Sequence, residues 1–216
     1  MYVPKQHEEL DVAVLQALIR AHPLGAWVTL DHGGLVANHI PFLMDANRGD
    51  CGTLIGHVAR ANDAWKHLSA TAESMVIFQG AESYITPSWY PSKHAHGKAV
   101  PTWNYAVVHA YGVPVAIEER EWLLAHVNQL TDIHEAGQAL PWKVSDAPME
   151  YVDKMLQGIV GIEIPIKRLV GKWKTSQNRS DSDRLGVTAG LMSRSEESGR
   201  VMASLVSQSI TTSKRN

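Results

Sequence analysis

The stretch YITPSWYPSKHAHGKAVPTWNYAVVHAY, residues 84–111, is the most informative part of the chain. It holds six aromatic residues with a polar group: Tyr84, Trp89, Tyr90, Trp103, Tyr105 and Tyr111. Its three prolines fix backbone φ and so lower the entropy of the segment before any ligand binds. Because lysines and histidines lie among the rings, the segment suits a planar anionic ligand. It also suits a rigid surface loop in which Trp and Tyr only pack, and both interpretations stay open.

Composition narrows the class of protein. The chain has 216 residues with 44% apolar and 19% charged side chains, which is typical of a globular protein and not of a disordered one. Its formal net charge of -2 excludes a strongly basic, nucleic-acid-coating protein. Its single cysteine, Cys51, excludes an intramolecular disulfide and a zinc site built from cysteines.

Short apolar runs between turn residues predict a mainly antiparallel β-protein. The predicted strands are 26–30, 35–44, 52–58, 74–79, 105–115 and 159–166, with a bulge at Gly161. The predicted helices are 8–21, 62–70 with Asn62 as its cap, 118–135, 145–158 and one that starts near 193. This order favours a closed β-barrel with added helices over a doubly wound sheet. Dinucleotide and P-loop glycine motifs do not occur.

Two further segments combine cations with hydrogen-bonding groups. Residues 56–66 pass from a strand to a helix, where backbone N–H groups together with Arg60 and Lys66 suit a phosphate, although Asp63 opposes it. Residues 171–179 hold three cations, one Trp and four hydroxyl or amide side chains. Residues 56–66 fit an ordinary strand–helix turn equally well. Residues 171–179 suit a phosphate, a polar ring edge or a nucleic-acid contact, but taken alone they favour a hydrophilic loop.

Other site classes find little support in the sequence. The eleven histidines lack the spacing of a metal-binding helix motif, so no metal site is expected. Cys51 lies in a turn without a neighbouring base, which predicts an inert thiol. No signal-peptide pattern and no apolar run of about 18 residues is present, so we expect a cytoplasmic protein without membrane contact.

Five sequence blocks together resemble the PaiB family of bacterial FMN-binding negative transcriptional regulators. They are ANHIPF (37–42), GHVARAN (56–62), YITPSWY (84–90), VPTWNY (100–105) and KWKTSQNR (172–179). Two positions depart from the family pattern: Asp63 stands where proline is usual and Thr175 where leucine is common. The first departure adds a negative charge beside the possible phosphate site.

The resemblance implies an α+β, mainly β fold: a six-stranded antiparallel FMN-binding split barrel with peripheral helices. It implies a homodimer with FMN at the dimer interface. We expect residues 1–180 to form the split-barrel domain with its N-terminal helix. Residues 181–216 are expected to form a C-terminal helical extension with a polar tail.

The resemblance also implies a set of cofactor-binding residues. Those expected near the FMN phosphate are His57, Arg60, Asn62 and Lys66. Those expected near the ring are Trp89, Trp103 and Asn104. Those expected to close the site, from this subunit or its partner, are Lys174, Ser176 and Gln177.

The function implied is that of an FMN-binding negative transcriptional regulator acting as a homodimer. Direct DNA contact needs a basic surface, for which the candidates are Lys167, Arg168, Lys172, Lys174 and Arg179; action through a regulatory protein or a metabolite is the alternative. Two other functions stay open. One is a flavin-dependent oxidoreductase with His39, His57 or His109 as acid or base. The other is a heme-binding split barrel with His94, His96 or His109 as ligand.

Overall fold

Ten β-strands and six α-helices make up the part of the chain that this computed structural model describes, residues 1–31 and 33–213. The strands are β1 (Glu8–Glu9), β2 (Leu24–Asp31), β3 (Gly34–Pro41), β4 (Leu43–Asp45), β5 (Thr53–Ala59), β6 (Ser74–Ile85), β7 (Thr102–Gly112), β8 (Val115–Ile117), β9 (Ile159–Pro165) and β10 (Arg168–Lys174). The helices are α1 (Val12–Ala21), α2 (Pro91–His96), α3 (Arg120–Glu135), α4 (Met149–Gln157), α5 (Asp181–Met192) and α6 (Glu197–Ser213). Short 3₁₀ helices occupy Lys5–His7, Asp63–His67, Pro87–Trp89 and Val144–Asp146.

The described strands form two antiparallel sheets instead of the predicted closed six-stranded barrel. One sheet has six strands in the order β1-β10-β7-β6-β2-β3, and the other has four in the order β4-β5-β9-β8. The mainly β character, the antiparallel pairing and the added helices are as predicted. The prediction of a single closed barrel is therefore wrong for this structure.

The change of sheet occurs at Phe42 and explains part of this difference. The predicted strand 35–44 is two strands, because β3 ends at Pro41 in the six-stranded sheet and β4 begins at Leu43 in the four-stranded one. Pro41 has no backbone N–H to continue a strand ladder, and the N–H of Phe42 donates to Pro23 O at 2.8 Å. A period-2 apolar pattern does not reveal such a break.

The hairpin between β2 and β3 is as predicted. The two strands pair antiparallel from Leu24 opposite Pro41 to Asp31 opposite Gly34. His32, in the predicted turn, lies outside the described residues. Alternate side chains of β2 are buried, as expected for a strand with one face toward the core, and Trp27 among them is fully buried.

Three other local predictions need correction. Residues 8–21 are not one helix, because Glu8 and Glu9 pair with β10 before α1 begins. Residues 171–174, for which a hydrophilic loop was one interpretation, belong to strand β10. Gly161 is not in a bulge, because β5 and β9 pair without interruption from Thr53 opposite Pro165 to Ala59 opposite Ile159. Gly161 is needed for packing instead, since a Cβ there would lie 2.2 Å from the Trp122 ring.

The chain divides into two compact units. Unit 1 comprises Met1–Leu18, Gln79–Val108 and Val170–Asn216, and unit 2 comprises Ile19–Phe78 and His109–Leu169. The predicted domain boundary after residue 180 falls in unit 1, just before α5, and stays a prediction. Residues 214–216 of the polar tail lie outside the described part. No helix in residues 1–31 and 33–213 combines the length and apolarity needed to cross a bilayer.

Within unit 1, Trp89 packs against helix α5. A Cβ on Gly190 would lie 2.3 Å from the Trp89 ring, and a Cβ on Gly186 would lie 2.0 Å from the Trp89 carbonyl oxygen. The Arg194 guanidinium lies over the Trp89 ring, 4.7 Å from its centroid. The two glycines therefore let the helix approach the 3₁₀ helix that carries Trp89.

This packing predicts opposite effects for two glycine substitutions in neighbouring helices. Gly199→Ala in α6 meets no atom closer than 3.5 Å, so improved helix propensity should raise the free energy of unfolding by up to about 1 kcal/mol. Gly190→Ala in α5 should instead lower it by about 1–3 kcal/mol, because the new methyl overlaps Trp89. Urea denaturation of both variants measures this. Stabilisation by Gly190→Ala would show that Trp89 does not pack here as described.

Candidate functional site

The segment after β10 in unit 1 is closed by the side-chain amide of Gln177. Its Oε1 accepts the backbone N–H of Thr175 at 2.8 Å, and its Nε2 donates to Trp173 O at 2.5 Å. His7 Nδ1 lies 2.9 Å from the same Oε1 and, because that oxygen only accepts, must carry the proton. Burial lowers the pKa of His7, which favours this neutral form even though the Gln177 bond opposes the shift.

This closure holds Ser176 in an unusual backbone conformation. Ser176 has φ 64°, and it is the one non-glycine residue with positive φ among the described residues. A left-handed conformation costs a non-glycine residue on the order of 1–3 kcal/mol. The Gln177 side chain reaches back across Ser176 to Thr175 and Trp173, and these two bonds offset this cost, so the buried Ser176 side chain takes a fixed direction.

Ser176 meets Asn104 in the interior of unit 1. Asn104, on β7, is fully buried, and its Nδ2 donates to Ser176 Oγ at 2.9 Å. Its Oδ1 is buried and has no hydrogen-bond partner among the described residues. Leaving a buried acceptor unpaired costs about 1–3 kcal/mol, so this oxygen is a place where a ligand donor would be stabilised.

The other predicted ring-side residues do not share this face. Trp103 precedes Asn104 on β7 and so points to the opposite side of the strand, where it is 47% exposed. Its indole N–H donates to Glu82, and its ring contacts Tyr84 edge to face with centroids 6.0 Å apart. Trp89 is occupied in packing against α5. Unit 1 thus brings together Asn104, Ser176 and Gln177, but places neither Trp89 nor Trp103 with them.

Lys174 lies at the edge of the same segment. Its ammonium donates to Thr102 Oγ1 at 2.5 Å and to Trp103 O at 2.8 Å, which connects β10 to the start of β7. Burial lowers the pKa of Lys174; Tyr105 opposes this shift, and the charge of Lys172 adds to it. The lysine is therefore close to the Asn104 strand and retains a donor for another group.

The four predicted phosphate-side residues lie in unit 2, and each has a partner there. Arg60 donates to Gln157 O at 2.8 Å and to Ile159 O at 3.1 Å, and it forms an ion pair with Glu118 at 2.5 Å. Asn62 accepts the Ala64 N–H, which confirms the predicted cap, and donates to Asn38. Lys66, a predicted phosphate-binding cation, forms an ion pair with Asp63 at 2.6 Å. Asp63 is one of the two residues that depart from the family pattern.

His57 is paired with a residue that the sequence patterns did not single out. His57 Nδ1 lies 2.9 Å from His126 Nε2, and Trp122 stacks on the His126 ring with centroids 5.3 Å apart. Trp122 in turn donates to Glu163, which is held by Arg48. His126 lies in the predicted helix 118–135, and no motif there marks it as a partner of His57.

A cleft of about 330 Å³ in unit 2 has an apolar floor of Leu123 and Leu156. Two ion pairs, Arg60 with Glu118 and Arg120 with Asp153, form its polar lining together with Gln157. Its charges are thus already compensated. Within residues 1–31 and 33–213, no three His, Cys, Asp or Glu side chains gather as a metal site would require.

Comparison with known proteins bears on these residues. Residues 1–168 match the model of a family described as a putative FMN-binding domain.

The chain belongs to this family.

Relatives in this family align over nearly the full length of the chain. A protein of Emericella nidulans, itself described as uncharacterized, is 35% identical and covers 95% of this chain and 96% of its own. The protease synthase and sporulation protein PAI 2 of Bacillus subtilis is 29% identical, with 95% and 96% covered. The PaiB-family prediction is confirmed by these matches.

Solved structures agree on the fold. An FAD and heme binding protein from Mycobacterium smegmatis superposes with a TM-score of 0.60 at 15% identity, covering 82% of this chain and 78% of that one. The flavocytochrome Anf3 from Azotobacter vinelandii gives 0.60 at 13% identity, covering 85% and 78%. At such low identity these structures show a shared fold and nothing beyond it.

The buried histidine pair predicts a pH dependence of stability. Burial, with the charge of His57 second, lowers the pKa of His126 to about 4, whereas an unfolded histidine titrates near 6.5. Between these values the unfolded chain binds more protons, so stability is complete above about pH 6.5 and falls as pH decreases toward about 4. This one group should remove about 2 kcal/mol between about pH 7 and 5.

Urea denaturation at the two pH values measures the effect. His126→Gln should have a clearly smaller loss than the wild type, because the titrating group is gone, although His57, His7 and His109 have pKa values lowered by burial and contribute with the same sign. His134→Gln, an exposed position near the end of the same helix, should behave like the wild type. An unchanged pH dependence in His126→Gln would contradict the burial of this pair.

Proposed function

We propose that the protein binds a flavin, FMN, through residues of unit 1, with Asn104 contacting the ring system. The observation that carries this proposal is the buried Asn104 oxygen without a partner. Membership of the putative FMN-binding domain family supports a flavin over other ligands. When bound, the flavin supplies electron-transfer or hydride chemistry, while the protein binds and orients it.

The chemistry of this side-chain set fits a flavin ring. An isoalloxazine presents a ring N–H beside carbonyl oxygens, so it requires an acceptor and donors in one plane. Asn104 Oδ1 supplies a buried acceptor for the ring N–H. Gln177 acts through Ser176: by fixing that residue it fixes the direction of the Asn104 amide.

The remaining predicted cofactor residues stay predictions. Arg60 and Lys66 would have to exchange Glu118 and Asp63 for a phosphate, and Asn62 would have to give up its cap or Asn38. His57 would have to leave His126, and Trp89 would have to leave α5. Trp103 is exposed enough to contact a ligand without rearrangement.

We further propose that the flavin-bound protein acts as a homodimeric negative regulator of transcription of the PaiB type. The PaiB resemblance and the similarity to the PAI 2 protein support this role. The basic residues considered for DNA are largely engaged within the chain: Lys172 is buried, Lys174 donates to β7, and Arg179 lies over the Tyr90 ring at 4.6 Å. Their placement supports action through a partner protein or metabolite more than direct DNA contact.

An FMN titration of the purified protein, followed by flavin fluorescence, tests the binding proposal. The wild type should bind FMN, and Asn104→Ala should weaken binding about tenfold or more, since it removes a buried hydrogen bond to the ligand. Asn178→Ala removes an exposed amide from the same segment and should bind like the wild type. Circular dichroism checks that each variant is folded. Absence of FMN binding, or equal affinity in Asn104→Ala, would overturn the proposal.

A further inference from the structure

Two lysines on one face of β10 are buried or half-buried. Lys172 and Lys174 are two residues apart, so their side chains leave the same face of β10. Lys172 is only 9% exposed, and Lys174 is half-buried. Lysine is rarely buried unless a negative charge compensates it, so the pair needs an explanation.

All hydrogen-bond acceptors of this pair are neutral. The Lys172 ammonium donates to Tyr2 O at 3.1 Å and lies 5.2 Å from the Tyr105 ring centroid. Lys174 donates to Thr102 Oγ1 and Trp103 O. Neither lysine takes part in any ion pair of the described residues. Glu8 is opposite Lys172 in the β1–β10 register, but it is exposed and forms no ion pair with it.

The pKa shifts of Lys174 and His7 reflect burial and also repulsion among the cationic groups on this face of β10. Burial lowers the pKa of Lys174, Tyr105 opposes this shift, and the charge of Lys172 adds to it. The pKa of His7 is lowered by burial and by the charges of both lysines, so the three groups lie within electrostatic reach of one another. An anion placed among them would offset the repulsion between the ammonium groups and would gain charge-assisted hydrogen bonds.

We propose that Lys172 and Lys174, with His7 beside them, form an anion subsite that binds the phosphate monoester of the flavin. This inference rests on the proposed flavin binding and places the phosphate in unit 1. Tyr2, whose carbonyl oxygen accepts from Lys172 and whose ring centroid lies 5.8 Å from the same ammonium, is 83% exposed, so a phosphate can replace both contacts by displacing an exposed residue. The sequence prediction placed the phosphate at Arg60 and Lys66, whose charges are already compensated by Glu118 and Asp63.

Comparison of FMN with riboflavin, which has the same ring system and no phosphate, isolates this contact. The wild type should bind FMN at least about tenfold more tightly than riboflavin, because charge-assisted bonds to the phosphate are lost in riboflavin. Lys172→Met and Lys174→Met should each reduce the FMN affinity about tenfold, with riboflavin affinity within about twofold of the wild type. Lys172→Arg, which keeps the charge, should keep most of the preference for FMN.

Matched controls separate the possible locations of the phosphate. Lys66→Met removes a cation from the site predicted by sequence, and Lys154→Met removes an exposed lysine from α4; both should keep the wild-type preference. Circular dichroism verifies folding, and the half-buried Lys174 provides an independent variant if Lys172→Met does not fold.

The outcomes distinguish this inference from the proposed function. If the wild type binds FMN and riboflavin equally, if Lys66→Met loses the preference, or if the β10 variants lose both ligands alike, the anion subsite is wrong while flavin binding stands. If the wild type binds neither ligand, the proposed function fails and the subsite fails with it. A selective loss of FMN in the two β10 variants supports the subsite.

Discussion

The side-chain amide of Gln177 is the constraint on which the candidate site depends. By bonding to Trp173 O and the Thr175 N–H, it closes a loop that holds Ser176 at a positive φ. Ser176 then occupies one end of the buried Asn104 amide and leaves the oxygen at the other end without a partner. One amide therefore fixes the strained Ser176 backbone and, through Ser176 Oγ, the direction of the Asn104 amide.

The two units differ in whether their cations have carboxylate partners, and this difference bears on which cations could bind an anion. In unit 2, Arg60 and Lys66 have carboxylate partners, so an anion would have to displace Glu118 or Asp63. In unit 1, the β10 lysines have only neutral acceptors. Since a desolvated cation gains more from an anion than one already paired, the β10 lysines are the cations that we propose for the phosphate.

Some features set by neighbouring residues were predicted correctly, whereas contacts between residues far apart in the sequence were not. Asn62 caps its 3₁₀ helix as its spacing indicated, and strands β2 and β3 pair as the predicted hairpin requires. The two carbonyl partners of Arg60, however, lie 97 and 99 residues farther along the chain, so no spacing rule reveals that its donors are used. The change of sheet at Phe42 likewise depends on which strand lies next to it in space. Asn104 was predicted from the family resemblance, whereas the role of Gln177 in fixing Ser176 required the backbone angles.

A crystal structure of the protein grown with FMN tests the central claim most directly. The account predicts electron density for the isoalloxazine ring with one of its donors within hydrogen-bond distance of Asn104 Oδ1, the acceptor that has no partner among the described residues. Flavin density elsewhere on the protein, with Asn104 making no contact to it, would contradict the account.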